Sequence, residues 1–130
     1  MILPLTGDVL KSAWPWVQLQ LTRYDIAYSE LELFMLAQAG HVTVWSVIDR
    51  DQPIAVVMLA KHEDGTGEII FAAGELSCLP EVIDAALGWC DWNDVYKLYV
   101  AGRKGWQRIL KPFGFTREAD KWALVRKTKP

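Results

Sequence analysis

Few of the potentially reactive side chains in this sequence have the spacing that a catalytic or metal-binding site requires. The two cysteines, Cys78 and Cys90, belong to no Cys-x-x-Cys or Cys/His pattern, and His41 and His62 are isolated. Because metal sites and redox motifs need clustered thiol and imidazole ligands, the sequence predicts no metal site and no disulfide framework. Unclustered cysteines fit a reducing compartment. The sequence also contains no Gly-x-Ser-x-Gly elbow, P-loop or Cys–His nucleophile signature.

A short basic segment is the main candidate for a binding site. Arg103, Lys104, Trp106 and Arg108 lie around Gly105, just before and within a predicted helix. Basic side chains and the N–H groups that open a helix can bind phosphate, and an indole can anchor a protein partner. The alternative, which we favour, is a loop whose basic side chains are solvated.

Length and composition indicate one globular domain over residues 1–130. The chain is 52% hydrophobic and 23% charged, which is typical of a folded protein rather than a disordered one. We expect no signal peptide and no membrane span, because the start lacks a basic region and no apolar run approaches ~18 residues. The sequence has seven tryptophans. Those that we expect to be partly exposed are Trp14, Trp16, Trp89, Trp92 and Trp106.

The net charge of −2 conceals an uneven distribution of charge. Residues 1–95 carry four basic and fourteen acidic side chains, a balance of −10, whereas residues 96–130 carry ten basic and two acidic ones, a balance of +8. A shared basic face could bind phosphates, nucleic acid or the acidic surface of another copy. The simpler interpretation is a well-solvated end of the domain. The pI of about 5.6 argues against a nucleic-acid-binding module.

Hydrophobic periodicity and turn signals predict a mixed α/β fold. Helices are predicted at 8–23 (broken or restarted at Pro15), at 30–39 after a Ser29/Glu32 capping box, at 80–93, and at 104–113 before Gly114. Strands are predicted at 42–48, 54–61, 68–73, 96–101 and 120–127. This order, α-α-β-β-β-α-β-α-β with room for a short N-terminal strand, predicts a mostly antiparallel sheet flanked by helices. Strands 68–73 and 96–101 should be parallel, because a helix joins them.

The order of elements and one motif resemble the GNAT acetyltransferase family over nearly the whole chain. The segment 106–115 (WQRILKPFGF) is similar to the last helix of that family and its Gly-Phe stop. In the family, the strands equivalent to 68–73 and 96–101 splay apart and acyl-CoA lies between them. The resemblance implies a loop of pattern Gln/Arg-x-x-Gly-x-Gly/Ala at the start of the following helix, whose backbone N–H groups bind the pyrophosphate.

The sequence departs from this phosphate-binding pattern at several positions. With Gly74 as the first glycine, Phe71 replaces the Gln or Arg, and Leu76 replaces the second small residue. Glu75 adds a negative charge beside the expected phosphates, and Pro80 removes a backbone donor. These departures predict a degenerate loop that does not bind acetyl-CoA.

The resemblance also implies where a catalytic acid and base would stand. The family's acid is commonly a tyrosine four residues before the Gly of Gly-Phe, and this chain has Leu110 there, which cannot donate a proton. Tyr96 and Tyr99 could substitute, although tyrosines on a strand usually pack. Glu68 and Glu75 are candidate bases by location only. We therefore assign no catalytic residue.

These observations favour a non-catalytic GNAT-like protein that needs no cofactor and binds a protein partner or a second copy of itself. The run Gly-Arg-x-Gly-Trp at 102–106 also resembles small phage-encoded proteins, including an internal virion protein of short-tailed phages. That resemblance implies a role in the virion or in its assembly. It also implies a location in the host cytoplasm or in the virion. The alternative is an acetyl-CoA-dependent N-acetyltransferase with an atypical cofactor loop.

Overall fold

The computed structural model of the chain describes residues 1–101 and 105–128, in which a seven-stranded sheet is flanked by four helices. The strands are β1 (Ile2–Pro4), β2 (Val42–Asp49), β3 (Gln52–Lys61), β4 (Thr66–Gly74), β5 (Lys97–Val100), β6 (Thr116–Glu118) and β7 (Lys121–Val125). The helices are α1 (Gly7–Arg23), α2 (Glu30–Gln38), α3 (Leu79–Trp92) and α4 (Gln107–Leu110). Among these described helices, none is long and apolar enough to cross a membrane.

The strands lie in the order β1-β2-β3-β4-β5-β7-β6. Every adjacent pair is antiparallel except β4 and β5, which run parallel. The parallel pair follows from its connection, because α3 carries the chain back across the sheet before β5 begins. The predicted mixed α/β class and the predicted parallel pairing are both confirmed.

Local signals in the sequence set the start of α2 and the first hairpin. The Ser29 hydroxyl accepts the Glu32 backbone N–H at 3.1 Å, and the Glu32 carboxylate accepts the Ser29 N–H at 3.0 Å, so the predicted capping box forms. Between β2 and β3, Arg50 and Asp51 have φ of 51° and 64°. Two consecutive left-handed residues form the tight turn whose twist matches that of an antiparallel hairpin.

Two hydrophobic cores cover the two faces of the sheet. On one face α1 and α2 pack against β2, β3 and β4 around buried side chains that include Leu10, Val17, Leu33, Val44 and Met58. On the other face α3 and the segment 106–115 pack against the sheet around Val57, Leu59, Ile83, Leu98 and Leu110. Each of these ten side chains is at most 2% exposed, so both layers are closed to water.

Helix α1 corrects the prediction of a break at Pro15. The helix runs without interruption from Gly7 to Arg23, with Pro15 inside it. Proline removes the hydrogen bond to the carbonyl of Lys11, four residues earlier. Both Pro15 and Lys11 lie on the exposed side of α1, where water can hydrate that carbonyl, while Trp14 and Val17 are buried on the inner side. Packing of the inner side therefore holds the helix through the proline.

The C-terminal elements also differ from the prediction. In place of a helix over 104–113, α4 has four residues and continues as a 3-10 turn at Lys111–Phe113, and Lys104 lies outside the described residues. Pro112 explains the change, because it cannot donate the next α-helical hydrogen bond. Gly114 ends the turn with φ of +99°, as predicted. The strand predicted at 120–127 is β7, and its hairpin partner β6 was missed because all three residues of β6 are exposed.

Replacing Gly74 by alanine is expected to destabilise the protein by about 3 kcal/mol. Gly74 has φ of +151°, and a Cβ at this position would lie 2.2 Å from the Ile54 carbonyl oxygen. Gly88→Ala is a matched control, because a Cβ there meets nothing within 4 Å in the interior of α3. It should stabilise the protein by about 0.5–1 kcal/mol. Urea unfolding followed by circular dichroism measures the free energy of unfolding of both variants. Equal changes in that free energy would contradict the close contact of β4 with β3.

Candidate functional site

A cleft opens where β4 and β5 separate. The two strands pair over four residue pairs, from Thr66 opposite Lys97 to Ile69 opposite Val100. Strand β4 then continues to Gly74, whereas β5 ends at Val100. The register between β3 and β4 shifts at the same point and skips Ile70. A bulge of this kind bends the strand and redirects its side chains.

The cleft has a volume of about 180 Å³ and a mostly apolar lining. Its walls are formed by Tyr24 and Ile26 after α1, Ile69, Ile70, Phe71 and Ala72 of β4, and Ala101 and Trp106. The Tyr24 hydroxyl donates a hydrogen bond of 2.8 Å to the Gly74 carbonyl. Among these lining residues there is no carboxylate, imidazole, thiol or ammonium group. The described walls therefore suit an apolar group and provide no general base.

A second, much smaller space lies at the start of α3. This crevice of about 10 Å³ is lined by Ala55, Ala72, Gly74, Glu75, Cys78, Leu79, Val82 and Trp106. It has room for about one water molecule. The Trp106 side chain is only 5% exposed and borders both the cleft and the crevice. Trp106 thus occupies the space between the open part of β4 and the start of α3.

Two backbone donors ahead of α3 make hydrogen bonds within the protein. The Glu75 N–H donates to the Ile54 carbonyl at 3.1 Å, and the Cys78 N–H donates to the Glu75 carbonyl at 3.2 Å. Pro80 has no N–H to offer. The segment 76–78 forms a 3-10 turn here, which holds these groups in place. A phosphate at this point would compete with hydrogen bonds that the protein already makes.

The sequence-predicted positions of the phosphate loop are placed as follows. Phe71 is 7% exposed and packs in the core beside α1, with its ring 5.8 Å from that of Tyr28. The Glu75 side chain is exposed at the rim of the crevice. Gly74 approaches β3 closely, and the carbonyls of Gly74 and Glu75 each accept a hydrogen bond. The backbone of Gly74 and Glu75 is thus held against β3.

The sequence-predicted acid and base candidates do not converge on the cleft. Leu110 is fully buried in the core. Tyr99 donates to Glu118 at 3.1 Å. The Glu68 carboxylate lies 3.2 Å from His62 Nε2 and accepts a hydrogen bond of 3.0 Å from Lys121. Of the described residues, no three His, Cys, Asp or Glu side chains come together as metal ligands.

The basic segment 102–108 is described only from Gly105 onwards. Arg103 and Lys104 lie outside the described residues, and Arg108 is exposed on α4. Trp106 is buried, and so is Trp14 at 8% exposure, so the expectation that these two tryptophans are partly exposed was wrong. Their indoles fill gaps between the sheet and its helices. Trp92 is 90% exposed at the end of α3, and Trp16 and Trp89 are half-buried.

Three ion pairs between distant parts of the chain offset some of the charge imbalance along the sequence. Arg126 makes two hydrogen bonds to the Asp91 carboxylate, at 2.7 and 3.2 Å, and Lys127 pairs with Asp94. Lys121 likewise pairs with Glu68 on β4. The hydrogen bond from Arg126 holds the pKa of the Asp91 carboxyl below its ordinary value of 3.8. These pairs join the basic last third to the acidic first part of the same chain.

Comparison with known proteins places this arrangement among acetyltransferase structures. A probable acetyltransferase from Staphylococcus epidermidis superposes with a TM-score of 0.76 at 9% identity, over 98% of this chain and 99% of that one. The chain has the GNAT fold. A GNAT acetyltransferase from Brucella melitensis in complex with acetyl-CoA gives a TM-score of 0.69 at 13% identity, over 100% of this chain and 90% of that one.

A third similar structure is the ribosomal-protein-S18-alanine N-acetyltransferase from Escherichia coli. Its TM-score is 0.71 at 14% identity, over 98% of this chain and 94% of that one. No protein-family model and no curated protein matches the sequence. At these identities the similarity establishes the fold, and the expected GNAT fold is confirmed. Activity does not follow from the fold, because one fold can carry many different sites.

We expect the pKa of Asp91 to rise toward 3.8 in the Arg126→Gln variant. A lowered pKa means that the folded state favours the carboxylate. The ion pair therefore contributes stability above the ordinary pKa, and the contribution is lost as the pH falls through the lowered value. Carboxyl-carbon NMR titration measures the midpoint directly. The control is Lys111→Gln, which removes an exposed charge in the same third of the chain and should leave the Asp91 midpoint unchanged. An unchanged Asp91 midpoint in Arg126→Gln would contradict the ion pair between Arg126 and Asp91.

Proposed function

We propose that this chain is a GNAT-fold protein that does not transfer acetyl groups and acts by binding another protein. The observation that carries the proposal is the burial of Trp106 between the start of α3 and the open part of β4. An acyl-CoA that lay in the cleft with its pyrophosphate at α3 would need a continuous groove between the two spaces. The indole of Trp106 interrupts that groove.

Opening the groove would be costly. Trp106 packs in the same core as Val82 and Leu110, and truncating a buried tryptophan costs about 3–5 kcal/mol. A bound cofactor would have to offset a similar loss on displacing the indole. It would also have to compete with the hydrogen bonds of the Glu75 and Cys78 N–H groups. Little affinity would remain, because these phosphate contacts normally supply much of the binding.

The remaining surfaces suit protein contact better than catalysis. The cleft is apolar, and its Tyr24 hydroxyl is bonded to Gly74, so it can take an apolar side chain of a partner. We extend the proposal to a phage-encoded protein of the virion or its assembly, on the resemblance of the run at 102–106. Capsid, portal or tail genes beside its gene would support this extension, and their absence would count against it.

The second candidate function is an N-acetyltransferase with an atypical cofactor loop. The observation that favours it is the separation of β4 and β5, together with the similarity to an acetyltransferase in complex with acetyl-CoA. Under this alternative the Trp106 side chain would leave the groove when the cofactor binds. A base and an acid would then have to come from groups other than the described lining of the cleft.

Isothermal titration distinguishes the two candidates. We expect no saturable heat when acetyl-CoA is added to about 1 mM, because Trp106 lies between the two spaces and two of the loop N–H groups already make hydrogen bonds. A dissociation constant below roughly 100 μM, or about −5.5 kcal/mol, would overturn the proposal. The Escherichia coli ribosomal-protein-S18-alanine N-acetyltransferase, titrated in the same buffer, is the positive control. Release of free CoA thiol in the presence of candidate amines would identify the alternative directly.

A further inference from the structure

The segment between α1 and α2 packs one of its sides against the end of β4. Tyr24, Ile26 and Tyr28 are half-buried, and the two residues between them are exposed. Burial that alternates with a period of two is typical of an extended chain that lies on a surface. All three half-buried side chains pack against the core that α1 and α2 form with the sheet. Residues 24–28, which we call the strap, therefore cover the end of β4.

The strap forms one wall of the cleft. Tyr24 and Ile26 line the cleft together with Ile70 of β4. The Tyr24 hydroxyl donates its hydrogen bond of 2.8 Å to the carbonyl of Gly74, the last residue of β4. At the other end of the strap, the ring of Tyr28 lies 5.8 Å from an aromatic ring of β4. Side chains at both ends of the strap thus attach it to β4.

The backbone of the strap is bonded at its ends to the two helices. The Ile26 N–H donates to the Leu21 carbonyl of α1 at 2.9 Å, and the Ser29 capping box begins α2 directly after the strap. In the described part of the chain, no hydrogen bond joins the backbone of Ala27 or Tyr28 to β4. A segment that only its side chains hold against a sheet opens at a lower cost in free energy than the whole fold.

We propose that the strap is a lid on the cleft and that the hydrogen bond from Tyr24 to Gly74 is the latch that keeps the lid closed. When this bond breaks, the strap leaves β4 while α1 and α2 stay folded, because the backbone bonds at its two ends belong to the helices. The cleft then loses the wall formed by Tyr24 and Ile26 and admits an apolar side chain of a protein partner. This use of the lid rests on the proposed protein-binding function, whereas the movement of the strap does not.

The latch is weak enough to open and fixed enough to define a closed state. Gly74 is held against the backbone of β3, so its carbonyl oxygen has a fixed position. One neutral hydrogen bond shifts an equilibrium by roughly threefold to tenfold. The three inward side chains of the strap are only half-buried and stabilise the closed state less than fully buried ones would. A partner that binds the open state alone therefore shifts the population toward it.

Thiol labelling of a cysteine placed in the cleft tests the lid. In an Ile70→Cys variant, N-ethylmaleimide reaches the new thiol when the strap is open. Adding Tyr24→Phe removes the latch and should raise the labelling rate roughly threefold to tenfold. The matched control is Tyr99→Phe, which removes a hydroxyl bonded to Glu118 at 3.1 Å and should leave the labelling rate unchanged. Ala72→Cys, at another residue that lines the cleft, serves as the reporter if Ile70→Cys does not fold.

The position of the label separates opening of the lid from global unfolding. Cys90 is fully buried in the core under α3 and reacts only when the chain unfolds. Mass spectrometry should therefore find the label on the cleft thiol and not on Cys90, at a rate that low urea hardly changes. Equal labelling rates in Tyr24→Phe and Tyr99→Phe would overturn the proposal, as would labelling of Cys90 at the same rate as the cleft thiol. Because this assay contains no cofactor, saturable binding of acetyl-CoA would overturn the proposed function without affecting the lid.

Discussion

The parallel contact between β4 and β5 lasts for only four residue pairs, and the space beyond it must be filled by something. A sheet that opens in this way exposes apolar side chains on the strand that continues, here Ile70 and Ala72 of β4. In this chain Trp106 lies beside this gap. The indole has the area to close such a gap by itself, since a tryptophan buries about 150–250 Å². The cleft that remains is the part that Trp106 does not fill.

The loop ahead of α3 lines the same crevice as Trp106. Gly74 can lie against the backbone of β3 only because it has no Cβ, and this contact brings the Glu75 N–H to the Ile54 carbonyl. The 3-10 turn at 76–78 then engages Cys78. Backbone donors that face outward at the start of a helix bind anions, but donors satisfied internally do not. Burial raises the pKa of the Cys90 thiol to about 12, so this cysteine is a packing residue of α3 and not a nucleophile at neutral pH.

Some of the charges that are unevenly distributed along the sequence pair with each other within the fold. Arg126 and Lys127 follow β7, and their partners Asp91 and Asp94 lie at and just after the end of α3. These pairs attach the last strand of the chain to the helix that precedes β5. They are exposed, and exposed pairs stabilise a protein weakly, but they favour one position of the C-terminal segment over others. Some basic side chains, such as Arg108, remain exposed and unaccounted for by this pairing.

The sequence by itself determined the elements whose signals are local. The Ser29/Glu32 capping box, the strands of the meander and the left-handed Gly114 are each set by a few neighbouring residues, and these are the parts predicted correctly. The GNAT fold could also be predicted, because the order of elements and the segment 106–115 resemble that family. The parallel pairing of β4 and β5 follows from the helix that joins them. The departures at Phe71, Glu75, Leu76 and Pro80 predict a loop unsuited to phosphate, and this stays a prediction.

Only the tertiary structure decided which surfaces are closed. A helical pattern shows Pro15 as a break, yet packing of Trp14 and Val17 carries α1 through it. Sequence spacing places Trp106 on the same helix face as Ile109 and Leu110, which favours its burial. It does not show which elements cover the indole, because its neighbours across the gap come from β4 and α3, which are distant in the chain. In the same way α2 is apolar in sequence and ends up uncovered. Burial is the result of long-range packing, which short-range patterns do not contain.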